Sequence, residues 1–292
     1  MTGNGSAQVC FIRIWSTCAG TGPEKSLLLR FWEKRHQKYF LRFSYTEEVT
    51  LSKTPVKDQL ICSVDLGINT DAVCSIMRSD GTVLDRKFIN FPSEKDRLSH
   101  VLGRIRRFQK EHGSKQIGSR WAYAKRLNTE LARKTARSIT EYAHENHADV
   151  IVFEYLEMKG KISGKKRQKL HLWKKREIQT MCEHKAHRYG IRVSRVCAWN
   201  TSRLAYDGSG PVSRDPKNHS LCVFQSGKQY NCDLSASYNI GARYWIREII
   251  KTLPETERSS LEAKVPAVKR RTSCVYADLL ILQNEYGCSK AA

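Results

Sequence analysis

The chain has 292 residues, 40% of them hydrophobic and 27% charged, which suffices for a sizeable buried core and excludes wholesale disorder. Fifty-one Lys and Arg against 29 Asp and Glu leave a formal charge of +22. A compact chain so basic calls for a polyanionic partner, and no apolar run is long enough to span a bilayer. The first thirty residues, rich in Gly, Ser and Thr, have no clear period and read as a loosely ordered start without a cleavable signal. Tyr39, Leu41, Phe43 and Tyr45 alternate with polar residues, as in a half-buried strand. The apolar run Leu60–Val64 ends in Asp65, then turns at Gly67, where the missing Cβ permits a close approach. Asp80-Gly81 between the apolar segments 70–77 and 82–88 predicts a hairpin, so Asp65 ends the first strand of an antiparallel meander.

Residues 95–137 carry thirteen Lys and Arg against three acids. Within them Leu127, Leu131, Thr135 and Ile139 recur every fourth residue and predict a long amphipathic helix packed on the core. A second strand, 148–153, ends at Glu154. The block 159–177 holds nine basic residues against one acid. The two blocks hold most of the excess charge, and their concentration around Glu154 reads as a surface that follows phosphates rather than as scattered solvated charge. The residues expected to contact nucleic acid are Arg104, Arg106, Arg107, Lys125, Arg126 and Arg133 in the first block. In the second they are Lys165, Lys166, Arg167, Lys174, Lys175 and Arg176. Ile191–Val196 reads as another strand, and 197–232 as a loop-rich insertion. Cys197, His219, Cys222 and Cys232 lack paired spacing, which argues against zinc. Asp233 precedes a helical pattern running to about Leu253, after which 254–292 reads as a polar tail with a last short helix near 275–282. Ten scattered cysteines point to free thiols in a reducing, cytoplasmic compartment.

Three acids at element ends, far apart in sequence, are what a divalent-metal site needs. Two ions ~4 Å apart can activate a water and stabilise the leaving oxygen of a phosphodiester. The residues also carry a resemblance. Val64-Asp65-Leu66-Gly67-Ile68, Phe153-Glu154-Tyr155 and Asp233-Leu-Ser-Ala-Ser-Tyr-Asn-Ile240 resemble the three motifs of a RuvC-type nuclease core, and specifically the TnpB family. That family comprises insertion-sequence RNA-guided nucleases related to type V CRISPR effectors. Its third motif reads Asp-x-Asn-Ala-Ala-x-Asn-Ile; here Asp233, Ala236, Asn239 and Ile240 are kept, and Ser235 and Ser237 depart. Lys185-Ala186, Gly190–Val193 and Thr201-Ser202 add to the likeness, which covers about residues 36–252.

The resemblance implies an RNase H-like (RuvC) α/β fold: a mixed sheet flanked by helices, preceded by a fragment of a wedge-like β-barrel. Five segments follow: 1–58, start and barrel remnant; 59–196, nuclease core; 197–232, inserted lobe at a degenerate zinc-knuckle position; 233–253, third motif and helix; 254–292, tail. It further implies Asp65, Glu154 and Asp233 as catalytic residues holding two Mg²⁺ (or Mn²⁺) ions, a DNA target and a guide RNA. Only 64 residues precede Asp65, fewer than in the family, so the chain is expected to be N-terminally truncated. The alternative is a cleavage-incompetent nucleic-acid-binding remnant, or a regulator of its own mobile element.

Overall fold

A computed structural model of the chain describes residues 28–33, 38–43, 49–113, 117–155, 174–215, 218, 220–269 and 272–291. Of the loosely ordered start expected over residues 1–30, residues 1–27 lie outside these, as do Lys165, Lys166, Arg167 and His219, while 28–30 belong to a strand. The chain divides into two units at Leu51/Ser52. In the first, β1 (Leu28–Glu33) and β2 (Lys38–Phe43) pair antiparallel, from Leu28 opposite Phe43 to Glu33 opposite Lys38.

The second unit is built on a five-stranded sheet. Strands β3 (Leu60–Asp65), β4 (Ala72–Arg78) and β5 (Val83–Ile89) form the expected antiparallel meander, with Ser79–Gly81 in the β4–β5 turn. Strands β6 (Val150–Tyr155) and β7 (Arg192–Cys197) add in parallel, giving the order β5-β4-β3-β6-β7. Parallel strands need crossovers, and helices supply them. The first crossover includes the basic helices α1 (Pro92–His112) and α2 (Gly118–Glu145), the second α3 (Lys175–Arg188). This mixed sheet flanked by helices is the arrangement expected of an RNase H-like core.

Strand alternation sorts the core into two layers. Ile61, Val150 and Val152 face α4 (Cys232–Thr252), while Cys62, Val64, Ile151 and Phe153 face α2 and α3. Both faces are covered, so β3 and β6 read as continuous apolar runs. The amphipathic helix expected around Leu127–Ile139 is α2, which buries Thr135, Ala136 and Ile139. With α1 it also closes a satellite core of Leu98, Val101, Leu102 and Ile105 against Ile117 and Ala124.

Two expectations need correction. The 197–232 insertion is not merely loop: β8 (Ser213–Arg214), β9 (Leu221–Val223) and β10 (Gln229–Asn231) form a small antiparallel sheet in the order β10-β9-β8. Strands of two or three residues are too short to show a period. Nor is 254–292 merely a polar tail. It folds as α5 (Glu255–Lys264), α6 (Pro266–Lys269) and α7 (Tyr276–Ala291), and sends Leu261, Val265, Val268, Leu279 and Leu282 into the core beneath α4. Among the described residues no helix is long and apolar enough to cross a membrane.

Helix α4 is buried almost all round, and Gly241 is its point of closest approach to the sheet. A Cβ there would stand 2.4 Å from Met77 Sδ and 3.3 Å from Ser63 Cβ. Gly241→Val should therefore cost ~1–3 kcal/mol of stability through overpacking. Gly103→Ala, on α1, meets nothing within 4 Å and should gain ~0.5–1 kcal/mol. Urea midpoints of the two variants, read against wild type, should move in opposite directions.

Candidate functional site

Asp65 is the last residue of β3 and Glu154 the penultimate residue of β6. Both share the strand parity of Ile61 and Val152, so both carboxylates point to the α4 side, near the carboxyl ends of parallel neighbours. Each is 8% exposed. Asp233 arrives from the first turn of α4. The helix is capped not by Asp233 but by Asn231, whose Oδ1 accepts from Leu234 N at 2.9 Å. Asp233 is thereby left free to turn its charge toward the other two acids.

The three sequence-predicted acids thus share one electrostatic neighbourhood. Burial, then the charges of Glu154 and Asp233, raise Asp65 well above the usual carboxylate range, with Arg214 opposing. Burial also raises Glu154, against the hydroxyl of Thr201 and the charges of Arg243 and Lys175. Asp233 is raised by burial, against the Thr70 hydroxyl and Arg214. Among the described residues no three His, Cys, Asp or Glu side chains stand close enough to form a ready-made metal cage. The donor chemistry nevertheless fits a divalent cation. Three hard carboxylates, partly desolvated and repelling one another, are the set Mg²⁺ or Mn²⁺ binds.

Much of the support is local. A Cβ on Gly67 would lie 2.5 Å from Thr70 O, so glycine lets the loop after Asp65 fold back on itself. That turn brings the Thr70 hydroxyl to Asp233. On the other side, Thr201 Oγ1 donates to Glu154 Oε1, and Gln179 Nε2 donates to the Glu154 carbonyl at 2.9 Å. Asn239 of the third motif donates to Thr201 O at 3.0 Å and Leu204 O at 2.9 Å, and accepts from Tyr276 N at 3.0 Å. Ser235 accepts from Tyr206 N at 3.2 Å, and Ser237 shares a 2.6 Å hydrogen bond with Ser75. The motif therefore clamps the 201–206 loop and the last helix onto the sheet.

Sequence reasoning missed the roles of Thr70, Arg214 and Arg243, and assigned none to Thr201. Arg214 donates to Ser202 O at 3.3 Å and faces Asp65 and Asp233. Arg243 donates to Cys274 O and Cys197 O at 2.9 and 2.7 Å while its charge acts on Glu154. No periodicity marks these positions; only the short Thr201-Ser202 likeness drew attention to one of them.

The expected nucleic-acid contacts divide. Arg104, Arg106 and Arg107 on α1, Lys125, Arg126 and Arg133 on α2, and Arg176 on α3 are exposed. Lys174 donates to Thr129 Oγ1 at 2.7 Å and pairs with Glu177, which ties α3 to α2. Lys175 requires correction: it is 8% exposed and its charge acts on Glu154, because the first turn of α3 points it inward. At the degenerate zinc position, Cys222 and Cys232 are buried side by side. Burial and then the neighbouring Cys232 push the Cys222 thiol up to about 12.

A family model for the Cas12f1-like TNB domain matches residues 176–240. A TnpB-like protein of Aquifex aeolicus is 25% identical over 229 residues, covering 70% of this chain and 74% of its own length. A TnpB-like protein of Acidianus two-tailed virus is 28% identical over 204 residues, or 63% of this chain and 42% of that protein. Among solved structures, a Cas12f1–sgRNA–target DNA complex superposes with a TM-score of 0.48 at 19% identity, covering 74% of this chain and 64% of that one. The mini RNA-guided endonuclease Cas_phi3 gives 0.47 at 13%, with 74% of this chain and 51% of that one covered. The chain thus spans about three quarters of its bacterial relative and less than half of its viral one. The chain is thus similar to a Cas12f1-like TNB domain over residues 176–240 and to TnpB-like proteins over most of its length.

Proposed function

We propose that the chain hydrolyses DNA phosphodiesters as a TnpB-like, RNA-guided endonuclease, with divalent ions held by Asp65, Glu154 and Asp233. The observation that carries this is the shared electrostatic neighbourhood of buried Asp65 and Glu154, from β3 and β6, and half-buried Asp233, from α4, each raised in pKa. Two bound Mg²⁺ or Mn²⁺ ions would supply an activated water and charge stabilisation at the departing oxygen. The chain's own groups do the holding. Thr201 fixes one oxygen of Glu154, Thr70 steadies Asp233, and Arg214 offers a guanidinium where a phosphate would approach. Exposed arginines on α1 and α2 suit the flanking phosphates. Similarity to TnpB-like proteins supports a guide RNA whose base pairing selects the target.

A second reading, a nucleic-acid-binding protein that does not cut, draws on the lack of a ready-made metal cage among the described residues. Cleavage of single-stranded DNA by the full chain, with Mg²⁺ added or chelated, separates the two. Mg²⁺-dependent cutting should vanish in Asp65→Ala and Asp233→Ala and persist in Glu257→Ala, an exposed position. Thr201→Val should lose ~10–100-fold in rate and need more Mg²⁺, as for groups that orient a metal ligand. Unchanged cutting in Asp65→Ala would sink the assignment.

The repulsion among the acids also has a thermodynamic consequence. A carboxyl whose folded pKa is raised costs nothing while it is protonated in both states. The cost appears as pH rises past the unfolded value, near ~4, and is full above the folded one. In metal-free protein the contribution of these acids should therefore become more unfavourable as pH climbs from ~4 toward neutrality, read as a growing difference between wild type and Asp65→Asn. At pH 7 and without metal, Asp65→Asn should melt higher than wild type, by ~1 kcal/mol or roughly 2–4 °C. Mg²⁺ should stabilise wild type but not the variant. Thermal melts across pH, with and without Mg²⁺, check both statements.

A further inference from the structure

Resting on the nucleic-acid reading above, we propose that Trp199 forms a base-stacking subsite beside the acidic site, which takes an unpaired nucleobase next to the phosphate being addressed. Trp199 is 65% exposed, the most open of the large apolar side chains identified as exposed. A lone exposed aromatic needs no explanation by itself. Here, however, the backbone beneath it is pinned on every side. Arg243 Nη1 donates to Cys197 O at 2.7 Å. Arg203 N and Leu204 N both donate to Asn200 O at 3.1 Å, and Asn239 holds Thr201 O. Asn200 itself adopts φ +56°, a left-handed conformation that asparagine tolerates better than most residues. The loop is thus rigid where an indole stands in solvent.

Its position is equally specific. Trp199 lies two residues before Thr201, so their Cα atoms are within ~7 Å, and the Thr201 hydroxyl holds Glu154. A strand whose phosphate meets the carboxylates must present its neighbouring bases within reach of that loop. A fixed aromatic stacks any base without reading its identity and loses little entropy in doing so. The +22 chain charge supplies the affinity for the backbone, and Trp199 adds a component that depends on the bases.

The experiment compares binding of the full chain, with EDTA present to prevent cutting, to single-stranded oligonucleotides with bases and to abasic analogues of the same length. DNA and RNA versions show which strand uses the subsite. Wild type should favour the base-bearing strand by roughly tenfold. Trp199→Ala should lose most of that ratio while keeping its salt dependence and melting temperature, and Trp199→Phe should keep most of it. An unchanged ratio in Trp199→Ala overturns the subsite. So does self-association that depends on Trp199 without any base preference. Because no cutting is measured, a base-dependent ratio in a chain that fails to cleave with Mg²⁺ would leave the subsite standing and the hydrolase reading fallen.

Discussion

The contact on which the architecture depends is the face-to-face approach of helix α4 to the central sheet. At Gly241 there is no room for a single added carbon between helix backbone and the Met77 and Ser63 side chains. That closeness sets the height of the helix above β3 and β4, and the serine pair Ser75–Ser237 fixes its position along them. With the helix so placed, its first turn delivers Asp233 to the ends of β3 and β6, where Asp65 and Glu154 face it. The burial of α4 on all sides follows: the sheet lies below, and Leu279 and Leu282 of α7 share the same core.

Bringing three carboxylates together in a partly dry site opposes folding, and the surrounding groups moderate that cost without removing it. Arg214, Arg243 and Lys175 act as partial counter-charges, and hydroxyls from Thr70 and Thr201 satisfy carboxylate lone pairs. If these cations fully neutralised the acids, the pKa values would fall, as in an ordinary buried ion pair. They remain raised, with burial the leading cause at each of the three.

The ends of β3 and β6 were legible in the sequence because apolar runs closing on an acid leave a clear signature. The hairpin at Asp80-Gly81 and the α2 stripe were legible for the same reason: local pattern and local structure agree. Asp233 stands out in the sequence only through its motif, since by propensity alone it passes for a helix cap, a role that Asn231 takes instead. Lys175 was misread because a run of three basic residues hides the helical period that turns the middle one inward. Arg214 and Thr70 were invisible, since one sits on a two-residue strand and the other in a short loop, and no period encodes either. The C-terminal helices escaped because only a few widely spaced residues, such as Leu261 and Leu279, anchor them.

The inserted lobe is fastened to the core by a cluster of aromatic rings. Tyr206 packs on Phe224, Tyr230, Tyr238 and Tyr276, with ring centroids 5.0–5.9 Å apart. Two of these rings belong to the lobe's own strands and loops, one to α4 and one to α7, so the cluster fastens the lobe to the helix that carries Asp233. Buried Ala205, Cys222 and Cys232 fill the space beside it. Such tilted and edge-to-face contacts each contribute ~0.5–1.5 kcal/mol beyond area burial, enough in sum to order a three-stranded flap. The same segment supplies Thr201 against Glu154 and Arg214 against Asp65 and Asp233. A lobe that hung freely could not hold a hydroxyl and a guanidinium on carboxylates contributed by the sheet. Anchoring it through α4 makes the position of these groups and the position of Asp233 depend on the same helix, so one rigid element governs both the acids and their counter-charges.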